Sequence, residues 1–246
     1  MGIGALAVVT LACVVWSLWI RRVTWSCRWE VAATLNVALQ GAAVVLMSPW
    51  ASETLGVWLF RLTGSYNIED YLAHDCYVVA ASAILFNVVG RTHAHSALQR
   101  SFRLRVELPA TLCIPLMLAT FTISNGADVY RSDFFTVPTD FWLNMYWLIL
   151  CAMLMYLLGS GVVELRALRE DPRSRPVATA YAWACLAGML ACVVRLATAF
   201  VPQIQHLPLS AALVWLPACV CGAVFAVVSG RSWAAKVRWL KEADSV

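Results

Sequence analysis

Seven stretches of about 20 residues, nearly devoid of charge, leave this chain one kind of environment to fold in. They run over 2–20, 31–48, 71–90, 106–124, 141–163, 177–201 and 207–229. A hydrocarbon layer about 30 Å thick is crossed by about 20 helical residues rising about 1.5 Å each. Lipid offers no partner to a bare backbone N–H or C=O, so such runs form helices. Only 13% of the 246 residues are charged, against about 25% in a soluble domain. The fold expected is therefore all-α: a polytopic membrane protein, a seven-transmembrane-helix bundle over 1–230, followed by a basic tail over 231–246.

Orientation follows from the basic residues. Arg21, Arg22 and Arg28 lie in the first connection, Arg91, Arg100, Arg103 and Arg105 in the third, and Arg166, Arg169, Arg173 and Arg175 in the fifth. Arg231, Lys236, Arg238 and Lys241 follow the last helix. One side thus holds 15 basic residues and the other only Arg61 and Arg131. Cytoplasmic loops collect Lys and Arg, which predicts the N-terminus outside, the C-terminus in the cytoplasm, and a multi-pass protein of a bacterial plasma membrane. No basic residue precedes the first run and Arg21-Arg22 follow it, the reverse of a signal peptide's order, so that run reads as a retained helix. The net charge of +4 belongs to these loops and does not indicate nucleic acid.

Further surface features are expected. Most tryptophans fall near the run ends, as in an aromatic belt: Trp16, Trp19, Trp25, Trp29, Trp183, Trp233 and Trp239 inside, and Trp50, Trp58, Trp142 and Trp147 outside. Leu55–Leu62 is apolar but too short to span and reads as an outer interfacial helix. The tail mixes Arg231, Lys236, Arg238 and Lys241 with Trp233 and Trp239, the pattern of an interfacial helix lying on anionic cytoplasmic lipid. Gly90-Arg91 and Gly230-Arg231 read as matching helix exits, one sign of a parallel repeat of three helices on each side of a fourth.

Chemistry is sought where ionisable groups enter lipid, because each costs roughly 3 kcal/mol or more there. Arg195 lies about six residues before the outer end of the sixth run, and Asp75 about five residues inside the same surface. Their depths agree, so a buried Asp75–Arg195 pair is expected. It serves either to fix the third helix against the sixth or as a ligand site. Glu69, Asp70, His74, Asp140, Tyr146 and His206 crowd that level as an outer polar cluster, although acids at helix starts also suit the helix dipole. His74 and His206 read as interfacial histidines; neither metal nor cofactor is expected, and His93 and His95 sit on the opposite side. The nine cysteines lie mostly in apolar runs with no CxxC and read as small core residues. Asn36 and Gln40 share a helix face and are expected to hydrogen-bond a neighbouring helix. Ala184, Gly188 and Cys192 form a small-residue row suited to close packing. No phosphate-binding loop, zinc motif or nucleophile elbow is present, and the seventh run has no lysine for a Schiff base.

Leu62-Thr63-Gly64-Ser65-Tyr66-Asn67-Ile68 leads directly into a helix carrying Leu72, His74 and Asp75, and Val194-Arg195-Leu196 occurs in the sixth run. This pattern resembles an uncharacterised actinobacterial seven-helix membrane family, also met in mycobacterial phage genomes, that carries a transporter label. The resemblance implies a plasma-membrane bundle with a transporter-like role and names no substrate. Members also bear a C-terminal cytoplasmic domain, which the sequence through Val246 does not show. Two functions follow: a transporter-like or ligand-sensing module with its polar site near the outer face, or a non-transporting accessory acting through helix packing and its basic cytoplasmic surface. For the latter, a second copy or another membrane protein would be the partner.

Overall fold

The computed structural model describes residues 3–27, 30–92, 102–201, 203 and 209–243. These are helical, with no strand among them. We number the long elements α1 (Ile3–Ile20), α2 (Val31–Leu46), α3 (Pro49–Thr63), α4 (Ile68–Thr92), α5 (Arg103–Thr122), α6 (Phe141–Leu168), α7 (Arg175–Phe200) and α8 (Ser210–Ala243). Six of them, α1 and α4 to α8, are long and apolar enough to cross a membrane. The 16-residue α2 falls short alone and makes a seventh only together with α3, from which it is bent by 63°.

That bend has a local cause. Ser48 is extended and its side chain accepts from the Ala51 N–H, while Pro49 takes the first helical position. A serine N-cap followed by proline starts a new helix in a new direction. The helix expected over Leu55–Leu62 is thus the second half of a longer α3. Gly64, in the left-handed conformation with φ 76°, ends it, a backbone state that glycine adopts at little cost.

The other expected glycine exits are absent. α4 runs through Gly90 to Thr92, and α8 runs unbroken through Gly230 to Ala243. The tail is helical and continuous with α8: Ser210–Ala243 form one helix of 34 residues, about 51 Å long. Gly230 is used for contact instead. A Cβ there would meet the Trp16 ring at 2.7 Å, so α1 and α8 approach closely at this point.

Packing closes a ring in chain order: α1 on α2, α2 on α4, α4 on α6, α6 on α7, α7 on α8, and α8 back on α1. α5 packs outside the ring, against α6 and α4. In α1 and α5 only 17% and 22% of the span is buried, with Val8, Val15, Leu108, Leu112 and Leu116 exposed; an exterior this apolar suits lipid. Trp16, Trp19, Trp50, Trp58, Trp142, Trp183 and Trp239 are likewise exposed, whereas Trp147 is buried.

At one end of the ring a single acid ties three helices together. Glu30, at the start of α2, meets Arg21 at 3.0 Å, Lys236 of α8 at 3.2 Å and Arg91 of α4 at 3.6 Å. Arg21 is itself buried and donates to the Thr34 hydroxyl and to the carbonyls of Ser229 and Glu30. Burial alone would raise the Glu30 carboxyl, but hydrogen bonds from Arg21 and Lys236 and the charge of Arg91 outweigh it and hold it below its ordinary value. Arg21, counted in the sequence among the basic residues of the first connection, is a core residue for this reason.

Candidate functional site

Inside the ring lies a cavity of about 100 Å³. Its walls come from α2, α4, α6, α7 and α8, and Phe135, in the connection before α6, reaches in as well. On α6 the lining runs from Trp147 to Leu158, 11 residues or about 16 Å of depth, roughly half the thickness of a hydrocarbon core. Most of the wall is apolar: Leu150, Leu154, Leu158, Ala191, Val214 and Phe225. Since α6 lines the cavity and α1 does not, two halves related by a repeat would not be equivalent around it.

Arg195 occupies the end of this cavity away from Glu30 and is 2% exposed. Its position is built up from the preceding connection. Asp133 accepts from the Phe135 N–H and starts the short turn Phe134–Thr136. The Phe135 carbonyl then accepts from Arg195 Nη1 at 3.1 Å. The Thr198 hydroxyl, one turn along α7, takes a second, longer bond from the same nitrogen at 3.4 Å. Burial holds the Asp133 carboxyl above its ordinary value, opposed by the Phe135 N–H and by the charge of Arg195. The guanidinium carbon stands 4.0 Å from the centroid of the Trp147 ring and 5.5 Å from that of Phe135. A desolvated cation on an indole face gains about 2 kcal/mol. The remaining donors, Nε and Nη2, are buried without a partner.

The pair expected between Arg195 and Asp75 does not form. No carboxylate of the described residues comes within 4.0 Å of Arg195. The difference is one of azimuth: consecutive helical residues point about 100° apart. His74 faces the cavity, so Asp75 faces elsewhere, toward Tyr71 and Cys113 on the α5 side. One of its carboxylate oxygens is buried there without a partner.

The outer polar cluster divides in the same way. His74 and Tyr146 belong to the site: His74 Nδ1 lies 2.6 Å from the Tyr146 hydroxyl, and its ring meets Trp147 edge-on at 5.0 Å. Asp70 is buried one turn earlier on α4, near Glu69 and Asp133. Glu69 is turned under α3, where a Cβ on Gly56 would lie 2.6 Å from its carboxylate; both of its oxygens are buried and unpartnered. Asp140 is the N-cap of α6, accepting from the Leu143 and Asn125 N–H groups. His206 lies outside the described residues.

Asn36 and Gln40 line the cavity on the α2 side. Asn36 donates to the Ala80 carbonyl of α4 and accepts from Gln40, so the expected interhelical bond is present and borders the cavity too. Trp147 was missed as a site residue. The signal was available: Trp142 and Trp147 are five residues apart, about 140° around a helix, and cannot share one belt-facing side. The row Ala184, Gly188 and Cys192 is buried in the ring, with Gly188 against Leu158 and Cys221.

No known protein family, curated protein or solved structure matches the chain.

Proposed function

We propose that this protein is a seven-span, transporter-like or ligand-sensing module of the bacterial plasma membrane, with N-terminus outside, C-terminus in the cytoplasm, and a ligand site in the ring cavity near the outer face. In this reading α2 and α3 together form the seventh crossing. The observation that carries it is the cavity itself: it is lined along about 16 Å of α6 and holds a buried cation with no carboxylate of the described residues within 4.0 Å. A chain selected only for packing gains nothing from keeping such a group. The accessory reading, acting through helix packing and the basic cytoplasmic surface, would be favoured by a solid core and a small-residue face open to lipid, and Ala184, Gly188 and Cys192 face inward instead. Kinship to the actinobacterial and phage family is part of the same proposal, and so is contact with anionic cytoplasmic lipid. For the latter, Arg231 and Arg238 with Trp16 and Trp233 border a groove of about 700 Å³ at the Glu30 end.

Labelling of single cysteines in an otherwise cysteine-free chain tests this reading. Glu53→Cys should react from outside in intact cells, and Arg173→Cys only after permeabilisation. Cys192, one turn from Arg195 on α7, should be modified by the impermeant 2-sulfonatoethyl methanethiosulfonate from the outer side. Reversed labelling overturns the orientation. A Cys192 that reacts from neither side overturns the ligand site.

A further inference from the structure

The unused part of the Arg195 guanidinium has a definite shape. Nη1 is committed to the Phe135 carbonyl and the Thr198 hydroxyl. The two free donors, Nε and Nη2, are the pair that lies along one edge of the planar group. Their N–H bonds are parallel and spaced to meet two oxygens of one planar acceptor, the fork by which arginine takes a carboxylate. Trp147, its ring centroid 4.0 Å from the guanidinium carbon, covers the face of the group, and the Nε–Nη2 edge is buried without a hydrogen bond. A buried donor pair without acceptors is a costly arrangement, and here it stands at a cavity wall.

We propose that the ligand of this site is a short aliphatic monocarboxylate, its two oxygens on Nε and Nη2 of Arg195 and its hydrocarbon in the apolar part of the cavity; this rests on the cavity reading above. One charge is expected because, among the described residues, Arg195 is the only Lys or Arg lining the cavity, and a dianion would bring a second charge into an apolar chamber without a second cation in its wall. The body must be apolar because Leu150, Leu154, Ala191 and Val214 surround the space. Size sets the remaining limit. An engineered apolar cavity of about 150 Å³ admits benzene, and this one is about 100 Å³, which suits an acid of a few carbons. The Nδ1 of His74 is already engaged by the Tyr146 hydroxyl at 2.6 Å.

The full chain, reconstituted in lipid nanodiscs in chloride-free sulfate buffer, is titrated with acetate, propionate, butyrate, propionamide and chloride while its unfolding midpoint and tryptophan emission are followed. Propionate and butyrate should shift both saturably, and propionamide, nearly the same shape without the charge, should not. Arg195→Gln should weaken propionate about tenfold or more, the loss of a charge-assisted pair, and Arg195→Lys should weaken it less. Ala191→Val, which narrows the cavity without touching the guanidinium, should weaken butyrate more than acetate; it keeps the test open if Arg195→Gln does not fold. Propionamide acting as well as propionate, chloride alone producing the whole effect, or equal propionate binding in the glutamine variant would each overturn the proposal. If Cys192 is labelled from outside yet no carboxylate acts, the cavity reading stands and the ligand class falls. If Cys192 is reached from neither side, both fall.

Discussion

The guanidinium of Arg195 lies 4.0 Å from the ring centroid of Trp147, and both side chains are almost wholly buried. The indole gives the cation a face that needs no proton and no counter-charge. Replacing Trp147 should therefore hurt stability twice. Trp147→Phe retains a ring and should cost about 1–2 kcal/mol. Trp147→Leu removes the ring and leaves a void, and should cost about 3–5 kcal/mol. Unfolding in mixed micelles by titration with sodium dodecyl sulfate measures both. Equal losses for the two variants would show that retaining a ring beside the cation contributes nothing.

The Glu30 clasp carries a prediction about acid. Because its carboxyl is held below the ordinary value, the folded state binds that proton more weakly than the unfolded chain does. The stabilisation is then complete above the unfolded value of about 4.5 and is lost as pH falls through the lower folded value. From neutrality down to about pH 5 the clasp should be insensitive to pH. Glu30→Gln should remove the acid-dependent part and, by leaving buried Arg21 without its counter-charge, cost about 3 kcal/mol at pH 7. Unfolding midpoints of both proteins across pH 3 to 8 decide it. Parallel curves would mean that Glu30 is not the titrating group.

How far the sequence reaches can be seen by comparing Arg21 with Arg195. Run lengths located every long helix, because lipid thickness and backbone satisfaction leave no other choice. Arg195 was marked by its depth alone. Its partner was assigned wrongly, because depth is one coordinate of a helical residue and azimuth is the other. A single sequence fixes the angle between His74 and Asp75 but not which of them meets the bundle interior. Arg21 shows the opposite failure. It follows a hydrophobic run, where arginine ordinarily reaches head groups, and nothing local reveals that α8 and Glu30 enclose it. The continuity of the tail with α8 is hidden for a related reason. A mixed Trp and Arg segment is compatible with a surface helix, but helix continuity through Gly230 is decided by the Trp16 contact of α1, more than 200 residues earlier.

Close approach of α6, α7 and α8 depends on Gly188. A Cβ there would lie 2.8 Å from Leu158 Cδ1 and 3.1 Å from Cys221 Sγ. Both neighbours are side-chain atoms of the packed ring and can yield only toward the cavity they line. Gly188→Ala should cost about 1–3 kcal/mol by overpacking, although alanine favours helix by about 1 kcal/mol. A double variant with Leu158→Ala should recover part of the loss. No recovery would place the strain elsewhere.

The last prediction concerns Asp75 and Arg195 together. Had they formed a buried pair, removing either would strand the other at about 3–5 kcal/mol, and removing both would cost much less than the two losses combined. The structure puts Asp75 toward Tyr71 and Cys113 and Arg195 on Trp147 and Phe135, with no direct contact between the two and only the electrostatic influence of Tyr146 in common. Residues without shared contacts contribute additively, within about 0.5 kcal/mol. Asp75→Asn should be near neutral or stabilising, since it relieves a half-buried carboxylate with one unpartnered oxygen. Arg195→Met should lose the Phe135 bond and the ring contact whether or not Asp75 is present. A four-protein cycle of wild type, both single variants and the double, unfolded under identical micelle conditions, gives the coupling directly. Its expected value is zero. A coupling above about 1 kcal/mol would mean that the two charges meet after all, through a rotation of α4 that brings Asp75 to the cavity in place of His74.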